Sequence, residues 1–202
     1  MDKTIKNIIF DFGGVLVTKG KLSKLTSILA KLILKEDGTK EDNLKSGVRG
    51  YWNLWKTDRI SEKEFFKKVK QALKLKYPIF YLKRKLYTSH EKNVEIFNLI
   101  NELKSKYRLF ILSNHSREWY QRQDKEFNLS STFNGAVTSF EAKIAKPDIK
   151  IYKLLLNKYN LNPNTCLFID DQKENLIPAK KLGIKTIHYK NVFLLKKELK
   201  EY

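Results

Sequence analysis

Two short apolar runs in this chain each end in carboxylates. Ile8-Ile9-Phe10 leads into Asp11-Phe12-Gly13-Gly14, and Cys166-Leu167-Phe168-Ile169 leads into Asp170-Asp171. Runs that are apolar throughout, rather than alternating, read as strands buried on both faces of a parallel sheet. A buried strand does not carry an acid without cause, because an unpaired carboxylate in apolar surroundings is costly. The Gly13-Gly14 pair breaks the first strand and leaves Asp11 at its carboxyl end. In open parallel sheets, ligands bind at that edge.

The rest of the chain fits such a sheet. Thr88 and Glu91 match a capping box that opens a helix over 94–107, followed by a strand over 108–114. A helix around 117–127, a weaker strand near 135–139 and a helix over 148–160 come next. The second acidic strand leads into a helix closed by Gly183, then a strand over 184–190 and a last helix over 192–202. Alternation of this kind predicts an α/β fold, a Rossmann-like doubly wound parallel sheet with helices on both faces.

Residues 18–88 lack strand signals. Leu22, Leu25, Ile28, Leu29 and Leu32 give helical periodicity over 21–36. A helix over 43–56 ends near Trp55, and Ser61 with Glu64 forms a capping box before another. Residues 77–88 read as one more helix or the return crossover. The expected organisation is an α/β core of 1–17 and 89–202 with an inserted helical cap, 18–88.

At 202 residues the chain suits one core plus a small insertion. No apolar run reaches the ~20 residues that span a bilayer, and the N-terminus lacks the pattern of a signal peptide. Cys166 is the sole cysteine, so neither an intrachain disulfide nor a thiolate metal cluster can form. A cytoplasmic protein with no membrane contact is expected. The net charge of +19 raises nucleic acid as a partner. The lysines are spread over nearly every helical segment, however, and greatly outnumber the arginines. Solvated helix faces are the first reading, and no specific nucleic-acid partner is expected.

Four features fall at or beyond predicted strand ends: Asp11, Ser113-Asn114, Lys146 before a proline, and Asp170-Asp171. In a parallel sheet these ends share one edge. Three acids there form a hard oxygen site suited to magnesium. Lys146 adds a cation and Ser113 a hydroxyl. A nucleophile, a metal, a lysine clamp and an oxygen-binding hydroxyl are the parts that phosphoryl chemistry needs.

Asp11-Phe12-Gly13-Gly14-Val15-Leu16, Ser113-Asn114, Lys146-Pro147-Asp148 and Asp170-Asp171 together resemble the four motifs of the haloacid dehalogenase (HAD) superfamily of hydrolases. The resemblance runs over almost the whole chain, and the insert after the first motif looks like the C1-type cap of subfamily I. It implies that Asp11 is the nucleophile that becomes a phospho-aspartate. It implies that Asp11, the Gly13 carbonyl, Asp170 and Asp171 hold Mg2+. Ser113 would grip the phosphoryl oxygens, with Asn114 beside it read as a substrate contact or as a helix cap, and Lys146 would neutralise charge on nucleophile and phosphate. Asn175 is read either as the residue that holds the loop after the acidic pair or as a helix cap.

The departure from the pattern is Gly13, where phosphatases of this superfamily usually carry a second aspartate as general acid. The branch with glycine here includes sugar-1-phosphate phosphatases and the domain fused to some epoxide hydrolases. The resemblance therefore implies a magnesium-dependent phosphatase acting on a small phosphorylated metabolite, a sugar phosphate among the options. The alternatives are a haloacid dehalogenase-type hydrolase, or a non-catalytic protein that binds a phosphate ligand or nucleic acid. The acidic pair speaks against a dehalogenase, which needs no metal. His115 is weighed as a replacement acid and ranked below a structural role. Trp52 and Trp55 are read as cap packing rather than substrate contacts.

Overall fold

The computed structural model of the protein describes residues 4–18, 41–88 and 90–202. The helix expected over 21–36 lies outside these residues. Five strands form one parallel sheet: β1 (Asn7–Phe10), β4 (Arg108–Ser113), β5 (Gly135–Thr138), β6 (Cys166–Asp170) and β7 (Lys185–His188). Their order is β5-β4-β1-β6-β7, so β1 is central and pairs in parallel with both β4 and β6.

Strand alternation explains why these runs are apolar at every position. Ile8, Phe10, Leu109, Ile111, Leu167 and Ile169 pack on one face with Ile96, Phe97 and Ile100 of helix α4 (Val94–Leu103). Leu195 of α10 (Val192–Leu199) joins them. Ile9, Phe110, Leu112, Cys166 and Phe168 point the other way, onto α8 (Ile149–Lys158) and α9 (Lys173–Lys181). Successive side chains of a strand face opposite sides, and helices here cover both, so the middle positions of these strands are apolar on either side. Helix α5 (Arg117–Phe127) follows β4, and two short helices, α6 (Leu129–Thr132) and α7 (Ser139–Ala142), flank β5.

Between β1 and β4 the described chain forms α1 (Glu41–Lys56), α2 (Glu62–Ala72) and α3 (Ile79–Tyr87). The Ser61–Glu64 capping box is present in both directions. These helices share their own apolar cluster, in which Trp55 stacks on Phe65 at 4.4 Å and Trp119 enters from α5. Trp55 is thus a packing residue, and its indole N–H donates to Glu118 at 3.1 Å. No helix among the described residues is long and apolar enough to cross a membrane.

One local expectation is corrected. The helix over 94–103 is capped by Asn93, whose side chain accepts from the Ile96 N–H, and not by Thr88 with Glu91. The Thr88 hydroxyl instead donates back to the Arg84 carbonyl at the end of α3. Glu91 belongs to a short antiparallel ribbon of β2 (Val17–Thr18) with β3 (Glu91–Lys92). A two-residue strand has no periodicity to read, and the Asn cap immediately precedes the apolar run it starts.

Candidate active site

Asp11 follows β1, its N–H donating to the Ile169 carbonyl at 2.8 Å. This registers Asp11 against the end of β6, where Asp170 and Asp171 stand. Lys146 reaches the same point from the loop before α8. Its ammonium donates to Asp11 Oδ1 and to Asp170 Oδ2, each at 2.7 Å, and all three side chains are almost wholly buried. Lys146 is therefore a strut between two strand ends as well as a charge.

Asp170 is held from the other side too. Its Oδ1 accepts the Gln172 N–H at 2.7 Å, and the Asn175 amide donates to both of its oxygens at 3.1 and 3.0 Å. Asn175 therefore grips the acidic pair and does not cap a helix. The Asn175 carbonyl in turn accepts from the buried Tyr152 hydroxyl on α8, which anchors the start of α9. Four donor contacts saturate Asp170, so it is oriented rigidly.

Ser113 is buried at the last position of β4, one strand from Asp11. Asn114, expected at the substrate, uses its side chain otherwise. The amide nitrogen donates to the Lys146 carbonyl at 2.9 Å, and the amide oxygen accepts the Lys146 N–H at 2.7 Å. The side chain thus positions the Lys146 main chain.

His115 is excluded as a replacement acid by its surroundings. Its ring packs edge-on against Phe12, Trp119 and Tyr120 at 5.3, 5.1 and 5.7 Å. Nδ1 sits 3.1 Å from the Ser116 carbonyl and Nε2 2.8 Å from the Gln123 amide. Burial brings its pKa down to about 4, so near neutral pH the ring is neutral and its single N–H is held by these partners.

Gly13 and Gly14 are glycines for different reasons. Gly14 has φ of 92°, a conformation that side chains disfavour. A Cβ at Gly13 would meet nothing within 4 Å. Among the described residues, position 13 has room for a Cβ, so packing there does not require a glycine.

Carboxylate oxygens of Asp11, Asp170 and Asp171 lie within 4.8 Å of one another. Burial, with Asp170 beside it, pushes the Asp11 carboxyl up to about 7 against the pull of Lys146. Burial also opposes charge on Lys146, but Asp11 and Asp170 outweigh it and hold the ammonium above the ordinary lysine range. Crowded carboxylates with too little positive charge are what a divalent cation relieves, and hard oxygen donors suit magnesium. The residues present fit that ion.

The sequence reading missed Ser139. Its hydroxyl accepts the His115 N–H at 2.9 Å and donates to the Lys56 carbonyl at 2.7 Å, pinning the end of α1 beside the end of β4. A serine after a short strand carries no signal that distinguishes it from any other.

The model of the haloacid dehalogenase-like hydrolase family matches residues 8–189, which include every one of these side chains. The chain belongs to that family. It is 26% identical over 196 residues to a D-ribitol-5-phosphate phosphatase from Bacteroides thetaiotaomicron, covering 93% of each chain. A shorter likeness, 32% identical over 89 residues, is to (S)-2-haloacid dehalogenase 4A from Burkholderia cepacia, covering 44% of this chain and 38% of that protein. A HAD-family enzyme from Bacteroides thetaiotaomicron, solved in complex with magnesium and inorganic phosphate, has the same fold. It superposes with a TM-score of 0.78 at 23% identity, over 92% of this chain and 94% of that one.

Proposed function

We propose that the protein is a magnesium-dependent phosphatase that acts through a phospho-aspartate on a small phosphorylated metabolite, with a sugar phosphate as the favoured class. The observation that carries this is the Lys146 bridge between Asp11 and Asp170 inside a cluster of three carboxylates. The long likeness to a ribitol-phosphate phosphatase supports the substrate class.

In this reading Asp11 attacks phosphorus through a carboxylate oxygen, the bond to the leaving oxygen breaks, and water later releases phosphate from the aspartyl group. Lys146 favours the ionised form of Asp11, holds it in line, and lies beside charge that develops on the phosphoryl oxygens. Ser113 supplies a hydroxyl to those oxygens. Asn114 fixes the main chain that carries Lys146. Asp11, Asp171 and the Gly13 carbonyl would hold magnesium, with Asp170 as the oriented neighbour that completes the acidic set. The ion, when bound, supplies positive charge to the nucleophile and the phosphoryl group.

Residues 18–88 are read as a cap over this edge, and 1–17 with 89–202 as the catalytic core. The lysines of α2 support a solvated-face reading of the net charge: Lys63, Lys67 and Lys68 are exposed while Phe65, Phe66 and Val69 are buried. We place the protein in the cytoplasm, without a specific nucleic-acid or membrane partner.

The test is turnover of a panel of phosphate esters with magnesium, with Asp11→Asn as control. Activity that survives Asp11→Asn, or 2-haloacid turnover without metal, would overturn the reading.

A further inference from the structure

The end of α1 brings a cation to the catalytic edge for which the site as described has no use. Lys56 is the last residue of α1. Its carbonyl is held by Ser139, whose hydroxyl also receives the His115 N–H, two residues beyond Ser113. Asp58, just after it, is paired with Arg117 at the start of α5 and with Lys143. This end of α1 is therefore fixed to the core on two sides, by Ser139 and by the Asp58 pairs.

The Lys56 side chain is partly buried, and it makes no ion pair among the described residues. Burial, then the nearby charges of Lys146 and Arg49, lower its pKa from the ordinary lysine value. Arg49 precedes it by seven residues, two helical turns, and so lies on the same face of α1. Of the acids at the strand ends, Asp11 and Asp170 are already bridged by Lys146. A half-buried ammonium repelled by two other cations is unfavourable unless an anion joins it.

We propose that Lys56 is a substrate-binding residue that takes the phosphoryl dianion from α1, together with Lys146 from the core. This rests on the phosphatase reading above and deepens it, because it makes the helical insert part of the phosphate site. The charges support it. Asp11, Asp170, Asp171, Lys146 and one divalent cation sum to zero, which leaves the two negative charges of a phosphomonoester unmatched. Lys56 and Arg49, on one face of α1, supply two positive charges to match them.

The experiment compares wild type, Lys56→Gln and Lys56→Arg with p-nitrophenyl phosphate as substrate and inorganic phosphate as inhibitor. A charge-assisted hydrogen bond is worth roughly 1.5–3 kcal/mol, so Lys56→Gln should raise both KM and the inhibition constant on the order of tenfold or more. The kcat should change much less, and Lys56→Arg should restore most of the loss. A merely structural lysine would move melting temperature and kcat rather than these two constants in parallel. If Lys56→Gln melts early, Lys56→Met retains the aliphatic stem and takes its place. Constants within twofold of wild type would overturn the inference. So would an effect confined to substrates with a second anionic group. Calorimetric titration with inorganic phosphate and magnesium reads the same contrast without turnover. An inactive wild type whose phosphate affinity still depends on Lys56 would sink the phosphatase reading and spare this one.

Discussion

The side-chain amide of Asn114 and the main chain of Lys146 bind each other reciprocally, at 2.7 and 2.9 Å, across 32 residues of sequence. Lys146 lies on a loop, yet its backbone is fixed to the end of β4 by two hydrogen bonds. Its ammonium can then lie between Asp11 and Asp170 without a search over rotamers.

Removing that clamp should cost rate more than binding. Asn114→Ala leaves a Lys146 N–H and carbonyl without their partner and frees the lysine to drift. A misplacement of about 1 Å can lower a rate ~10²-fold, so kcat should fall between ten- and a hundredfold. Stability should drop by roughly 1–3 kcal/mol from the lost buried hydrogen bonds. Stopped-flow or steady-state kinetics on a folded variant with wild-type kcat would show that Lys146 needs no such guide.

Metal removal is the second expectation. Activity with p-nitrophenyl phosphate should vanish in excess EDTA and return with magnesium. Asp171→Asn removes one negative oxygen donor while leaving the saturated Asp170 in place, so the magnesium concentration for half-maximal rate should rise at least tenfold. An unchanged magnesium requirement in that variant would remove Asp171 from the ligand set.

Acid stability should report on His115. Its folded pKa of about 4 lies below the ordinary 6.5, with burial as the main cause. Between those values the unfolded chain binds a proton that the folded chain refuses, so stability falls as pH drops from 6.5 towards 4. A shift of this size corresponds to roughly 3 kcal/mol at the bottom of the window. His115→Gln lacks the proton site, so its stability should fall less over the same range than that of the wild type. Equal pH dependence in denaturant titrations at pH 7 and pH 4.5 would show that the ring is not buried neutral.

Much of this site was legible because acids and glycines interrupt strands that otherwise tolerate only apolar side chains. Asp11, Ser113, Lys146 and Asp170-Asp171 stand out against such a background, and the parallel topology then requires them to share an edge. The second layer was not legible. Asn175 read equally well as a cap or as a loop clamp, because an asparagine early in a helix serves either use. Asn114 beside Ser113 read as a ligand contact, since its true partner is the Lys146 main chain and backbone leaves no trace in a residue pattern. Ser139 and Lys56 meet only when α1 folds against the start of α7, a contact between residues 83 apart in sequence. Among so many lysines on helices, no spacing rule separates the one that turns inward.

The absent side chain at position 13 gives the sharpest expectation. Space there is open, His115 is neutral and engaged, and no acid in the described site stands in for a general acid. Positioned acid–base catalysis contributes ~10²–10⁴-fold, so the enzyme should depend strongly on how well the leaving oxygen departs unaided. Aryl and anomeric phosphates should turn over best and simple alkyl phosphates worst. The same missing group would activate the water that attacks the phospho-aspartate, so that species should accumulate and be seen by intact mass after a rapid quench. Gly13→Asp places a carboxyl in the open space without a positive φ to strain it. It should accelerate alkyl phosphates by at least tenfold, aryl phosphates far less, and shorten the life of the phosphoenzyme. A wild type indifferent to leaving-group pKa would mean that a proton donor outside the described residues reaches the site, and Gly13→Asp would then change little.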